Sequence, residues 1–265
     1  MEGQAKAIRQ VKTLLQEAAS IGVLTGAGVS AESGIPTFRD AQTGHWSRFS
    51  PQDLATPEAF RRDPQTVWRW YAERRTSVLA VQPNPGHVAL ARLEAETVDR
   101  GAEFSLVTQN VDGLHSRAGS RHVTEIHGNI MRVRCFSGCV AYTVGEESAE
   151  ARAAFAGDAE AHMRPPEVPR CPSCGGYLRP DVVWFGESLD EAAVERAFTV
   201  AESASLFLVI GTSAVVYPAA MLPETALEAD ATVVEINPDP TPLTAAATIS
   251  IRGKAGEVLP LVVNG

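Results

Sequence analysis

No run of the roughly eighteen apolar residues that a membrane-spanning helix needs occurs in the 265-residue chain. Basic residues are also in short supply: 23 lysines and arginines stand against 32 aspartates and glutamates, a formal charge of −9, and no dense basic cluster offsets it. Direct nucleic-acid binding is therefore disfavoured, because phosphate neutralisation supplies most of that affinity. A cationic partner such as a lysine-rich protein tail suits the balance. The first residues lack the apolar core and small-residue cleavage site of a secretory leader. Ile8, Val11, Leu15 and Ala18 instead share one helical stripe, which predicts a packed first helix in a cytoplasmic protein. No exposed apolar heptad is visible, so a monomer is expected.

What the chain does contain supports a sizeable core, with 45% hydrophobic residues and length for one large domain with smaller insertions. The stretch Ile21-Gly22-Val23-Leu24-Thr25 is short and apolar, and Gly26-Ala27-Gly28-Val29-Ser30-Ala31 follows at once, reading as strand, tight turn and helix start. Glycine at 26 suits the turn, glycine at 28 lets backbone N–H groups approach a phosphate, and Ala31 allows close helix–strand packing. The helix N-terminus would then face the phosphates. By itself such a run is equally an ordinary glycine turn. The following Gly34-Ile35-Pro36-Thr37-Phe38-Arg39-Asp40 departs from a plain dinucleotide-binding unit, since Pro36 forbids a regular helix interior. That loop is expected to belong to the site.

Further on, Asp63-Pro64 predicts a helix start that carries Val67, Tyr71, Arg74 and Val78 on one face. A second helix spans about His87 to Arg100. Strands are expected at Phe104–Thr108, Val123–Ile126, Val182–Phe185, Leu206–Ile210 and Thr232–Ile236, with a helix from about Asp190 to Ser203. Strands alternating with helices imply an α/β fold with a doubly wound, parallel, Rossmann-like sheet. The domain expectation is a sheet domain made of 1–40, 99–131 and 180–265, a helical insertion at 41–98, and a separate module at 132–179 containing an Ala/Glu-rich middle.

All four cysteines fall in that module: Cys135-x3-Cys139, thirty-one residues, then Cys171-x2-Cys174. Two such knuckles, helped by Pro172, Gly175 and Gly176, match one tetrahedral structural zinc with no position left open for catalysis. The alternative is free or disulfide-bonded thiols, which the lack of a secretion signal disfavours.

Taken together, the run Gly26–Asp40, Thr108-Gln109-Asn110-Val111-Asp112-Gly113-Leu114-His115, His127-Gly128-Asn129, the cysteine pairs, Val183-Trp184-Phe185-Gly186-Glu187 and Gly211-Thr212-Ser213 resemble, in order, the motifs of sirtuins, the NAD-dependent protein-lysine deacylases. The resemblance implies a reaction in which the acyl oxygen attacks C1′ of the nicotinamide ribose, nicotinamide leaves, and the acyl group ends on ADP-ribose while free lysine is released. It implies His127 as general base, and Asn110 and Asp112 as holders of the carboxamide and ribose. Gln109 would meet ribose hydroxyls, Phe38 would shield the sugar from water, and Arg39 would contact phosphate or ribose. Gly26, Ala27, Gly28, Ser30, Glu32 and Ile35 complete the near side of the NAD site, Gly211, Thr212 and Ser213 the pyrophosphate side, and Asn237, Asp239 and Ala255 the adenosine end. Substrate backbone would pair beside Val183, Trp184, Phe185, Gly186 and Glu187. The first cysteine spacing is one residue longer than usual, and Ala255 stands where some relatives have cysteine.

Tyr71 and Arg74 form Tyr-x-x-Arg and resemble the pair marking sirtuins that prefer succinyl and malonyl groups. A guanidinium pairs bidentately with a terminal carboxylate and a phenol adds a hydrogen bond. The alternatives are a core tyrosine beside a solvated arginine in a general deacetylase, a protein mono-ADP-ribosyltransferase using the same NAD, and a catalytically silent NAD-binding or zinc scaffold. Intact His127, Asn110 and Asp112 argue against the last.

Overall fold

The computed structural model describes residues 2–36, 50–139, 143–144 and 167–263, without the side chains of 51, 52, 143 and 144. Phe38 and Arg39 lie outside the described residues, as does the Ala/Glu-rich middle of the cysteine module. The described strands are, in chain order, β1 (Ser20–Thr25), β2 (Glu103–Thr108), β3 (Val123–Glu125), β4 (Gly128–Cys135), β5 (Thr143–Val144), β6 (Leu178–Val182), β7 (Leu206–Ile210), β8 (Thr232–Asn237) and β9 (Ile249–Arg252).

Six of them form one parallel sheet in the order β3-β2-β1-β7-β8-β9. The short runs rich in valine, isoleucine and leucine that make β1, β7 and β8 are buried on both faces, as the centre of a parallel sheet requires. Alternate residues feed two cores. Val23, Leu208 and Val234 join Val11 and Leu15 of the first helix, Glu2–Glu17, and Leu259 of the last, Ala255–Val263. Leu24, Phe207 and Val233 join Ala197 of the helix Glu191–Ser203 and Ala226 of Leu222–Glu228.

The remaining strands make a small antiparallel sheet, β5-β4-β6. Its apolar face shares a third core with the helices Pro57–Arg62 and Pro64–Ala80, in which Phe60, Trp68, Trp70, Tyr71, Ile130, Cys135, Cys171 and Trp184 meet. The helix Pro64–Ala80 begins where the sequence places it, with the Asp63 carboxylate accepting the Thr66 N–H at 3.0 Å.

Two expectations change. The helix Pro85–Asp99, read as part of the helical insertion, puts Ala89, Leu90 and Leu93 into the large-sheet core. The strand read at Val182–Phe185 as a return to the large sheet is instead β6, ending at Val182 in the small sheet. The chain beyond it turns, with Gly186 at φ +85°, and Trp184 stays in the small-lobe core.

Candidate active site

The strand order reverses between β1 and β7, whose ends pair Thr25 with Ile210. In an open parallel sheet the crevice beyond the strand ends at such a reversal is where ligands bind. Both flanking loops are glycine-bearing and they interlock: the Gly28 N–H donates to the Gly211 carbonyl at 2.8 Å and the Gly26 N–H to that of Ile210 at 3.1 Å. A Cβ at Gly28 would lie 2.7 Å from the Gly211 oxygen, and one at Gly26 2.8 Å from Thr212 Cβ. The glycines thus permit loop-on-loop packing.

The cradle differs from its expected form in two respects. Its helix is a single turn, Gly28–Ala31, and the N–H groups of Val29 and Ser30 bond back to Gly26 and Ala27. Most of the amides assigned to a phosphate are therefore committed within the chain. Ala31, expected against the strand, is exposed, while Val29 and Ser30 point inward.

Ser30 is the hub of a buried polar network. Its hydroxyl donates to Asp112 Oδ2 at 2.8 Å and accepts from Asn110 Nδ2 at 3.0 Å. His87 Nδ1 accepts the Asn84 N–H at 3.3 Å, so the proton sits on Nε2, 3.3 Å from Ser30 Oγ. Asp112 Oδ1 accepts the Leu114 N–H at 2.9 Å, yet burial holds this carboxyl above the usual range. Behind it, His115 Nε2 meets Thr25 Oγ1 at 2.9 Å, and Thr25 donates to Thr108 Oγ1 at 2.8 Å. Burial pushes His87 down to about 4 and His115 down to about 3, so both are neutral at physiological pH. The network holds Asn110 and Asp112 in one rotamer each. His87 escaped the sequence reading because its position, third in a helix, reads only as part of a cap.

His127 follows β3. Its Nδ1 lies 2.9 Å from the Gln109 carbonyl; a carbonyl can only accept, so Nδ1 carries the proton and Nε2 is left basic. Burial lowers its pKa below the ordinary histidine value, opposed by that hydrogen bond. Gly128 beside it has φ +80°, and a Cβ there would overlap the Asp181 carbonyl at 2.1 Å, which explains glycine after the histidine. The Gln109 side chain donates to Thr212 Oγ1 at 2.8 Å, and Asn237 Nδ2 to the Thr212 carbonyl at 2.7 Å, tying three strand ends across the crevice. Arg252, anchored on the buried Glu235 at 2.8 Å, donates to the Asp239 carbonyl at 2.8 Å and so shapes the Asn237–Asp239 turn. Ser213 and Ile35 are half-buried. The Glu32 carboxylate accepts the Gly256 N–H at 2.7 Å, beside the buried Ala255 at the start of the last helix.

A profile of the Sir2 family matches residues 26–218, the stretch that contains both crevice loops, His127 and the cysteines. The chain belongs to the Sir2 family. This Sir2 protein is 49% identical over 256 residues to an NAD-dependent protein deacylase of Thermus thermophilus, covering 97% of this chain and 94% of that one. It is 50% identical over 254 residues to NAD-dependent protein deacylase 1 of Pseudomonas aeruginosa, covering 96% of each. Its fold superposes on the crystal structure of a Sir2 homolog–NAD complex with a TM-score of 0.83 at 46% identity, covering 96% of this chain and 92% of that one. A Sir2 structure holding a deacetylated p53 peptide and 3′-O-acetyl ADP ribose aligns with a TM-score of 0.78 at 32% identity, covering 96% of each chain.

The Sir2 cysteine cluster brings the sulfurs of Cys135, Cys139, Cys171 and Cys174 within 4.8 Å of one another, all unpaired, with Cys135 and Cys174 3.6 Å apart. Sulfurs about 2.3 Å from a tetrahedral zinc stand about 3.8 Å from each other, so the donor set fits that ion and not a disulfide.

Of the pair expected to read the acyl group, Tyr71 is buried, and burial pushes its pKa up to about 12, so its hydroxyl remains a donor. Arg74 lies one turn on, half-buried, with its guanidinium 4.9 Å from the Trp70 ring centroid; burial lowers its pKa, but an arginine stays charged at working pH. The segment Val183–Glu187 is less open to strand addition than its sequence suggests. The N–H groups of Val183, Trp184, Phe185 and Glu187 bond to His127 O, Glu187 Oε2, Ala55 O and Trp184 O, so pairing there can use only the remaining polar groups. The Val183 bond ties this segment to His127 itself. Val215, Val216 and Tyr217, exposed beyond β7, carry no role in the sequence reading.

Proposed function

We propose that this Sir2 protein removes acyl groups from protein lysines with NAD as co-substrate, preferring negatively charged succinyl and malonyl groups, and that its cysteines hold one structural zinc. His127 carries the reading of the reaction: the Gln109 carbonyl fixes its tautomer with Nε2 basic. NAD supplies a sugar carbon that becomes electrophilic as nicotinamide departs. Asn110 and Asp112, oriented by Ser30, hold the nicotinamide end, and the loops at Gly26–Gly28 and Gly211–Ser213 hold the pyrophosphate. Asn237, Asp239 and Ala255 face the adenosine. His127 Nε2 takes a proton from a ribose hydroxyl, which frees that oxygen to accept the acyl group. Phe38, to shield the sugar, and Arg39, to contact phosphate or ribose, complete the proposal and lie outside the described residues.

The basic form of His127 is the active one, and its pKa is lowered. Activity falls as pH drops through that pKa and protonates Nε2. The acid limb of kcat/KM, measured on one acyl-peptide, therefore lies below the ordinary histidine value of about 6.5. A limb above that value contradicts the assignment.

The acyl preference rests on Tyr71 and Arg74, one helical turn apart, a phenol proton and a cation that a terminal carboxylate can satisfy together and an acetyl group cannot. Arg74→Met is expected to lower kcat/KM for succinyl-lysine about a hundredfold, the scale of losing one partner of a desolvated charge pair, while acetyl turnover survives. Equal losses on both acyl groups, or wild-type preference for acetyl, would leave a general deacetylase.

A further inference from the structure

Tyr71 does not act alone. Its oxygen accepts the indole N–H of Trp184 at 2.9 Å, and both rings are buried. The indole is clamped in turn. The Arg179 guanidinium lies 3.3 Å from the indole centroid, itself buried, and donates to both Glu187 carboxylate oxygens and to the carbonyls of Pro180 and Val182. Glu187 also accepts the Trp184 backbone N–H at 2.8 Å and a bond from Arg134 at 3.2 Å. Phe60 packs at 5.4 Å between ring centroids. The indole therefore has little freedom to turn.

An indole N–H can only donate, and a phenol has one proton to give. With the Trp184 N–H on one lone pair, the Tyr71 proton must point away from the indole. We infer that Trp184, held by Arg179 and Glu187, is a positioning residue that aims the Tyr71 proton at an incoming carboxylate and thereby sets acyl selectivity. This rests on the acidic-acyl reading above. The chain of contacts runs from the turn after β6 to the helix Pro64–Ala80, so it also links the segment expected to meet substrate backbone with the residue expected to meet the acyl end.

The test is a double-mutant cycle read as the ratio of kcat/KM for succinyl-lysine to that for acetyl-lysine on one peptide. Partial loss of folded enzyme lowers both rates and cancels in the ratio. Trp184→Phe is expected to lower the ratio about tenfold, the scale of one oriented hydrogen bond, with the change in the KM for the succinyl peptide. Tyr71→Phe does the same, and the double variant goes no lower than Tyr71→Phe alone. The Trp184 indole N–H resonance is expected to move upfield in Tyr71→Phe as its acceptor is lost. A wild-type ratio at or below one overturns the acidic-acyl reading and this inference together. A high wild-type ratio that Trp184→Phe lowers equally with and without the Tyr71 hydroxyl overturns the positioning role alone.

Discussion

His127→Ala is expected to lower kcat for acyl-lysine turnover by about 10²–10⁴-fold, the range that a positioned general base contributes. The substitution removes Nε2 and leaves the polar network around Ser30 in place, because among the described residues the His127 ring bonds to the Gln109 carbonyl and not to that network. NAD affinity should therefore change little. Exchange of labelled nicotinamide into NAD, which needs only the steps before the His127 proton moves, should survive. Steady-state kinetics and the exchange assay on the same preparation separate the outcomes. Loss of both exchange and turnover would instead place His127 in the cofactor-binding step.

Stripping the metal should have the other large effect, on stability. Structural zinc contributes apparent binding free energies of about 10–16 kcal/mol, comparable to the whole stability of a typical domain, about 5–15 kcal/mol. Cys135 and Cys171 are buried in the same core as Phe60, Tyr71 and Trp184, so the consequence should reach Tyr71 and Trp184, the residues proposed to set acyl selectivity, as well as the knuckles. A chelator is expected to release one zinc per chain, lower Tm by more than about 10 °C and abolish activity, with recovery on adding zinc back. Cys171→Ser should reproduce the loss. A protein that contains no zinc, or keeps its Tm through chelation, contradicts the structural role.

Much of this architecture could be read from residues whose preferences are local. Asp63-Pro64 marks its helix because an acceptor side chain and a ring without an N–H satisfy a helix start wherever they occur. Leu206–Ile210 reads as a buried strand because the run is apolar throughout and ends at a glycine. The cysteine pairs announced their cluster by spacing alone. The failures are tertiary. Val182–Phe185 has the composition of a strand, but the N–H of Val183 goes to the His127 carbonyl and that of Phe185 to the Ala55 carbonyl, and no local pattern encodes partners so distant in the chain. The apolar face of Pro85–Asp99 looks the same whichever core it enters. Ala31 was given a packing role by its place in a motif, yet the helix ends after one turn and exposes it. His87, Arg179 and Glu235 carry no sequence signal, since a buried polar residue is recognised only by the partners that satisfy it.

The most direct measurement of the central claim places succinyl-lysine and acetyl-lysine versions of one peptide in the same tube with the protein and NAD, and follows both by mass spectrometry together with nicotinamide release. The account predicts that the succinyl peptide is consumed first, that nothing happens without NAD, and that one nicotinamide appears for each lysine freed. Consumption of the acetyl peptide first, or ADP-ribose remaining on the peptide in place of a freed lysine, would contradict it.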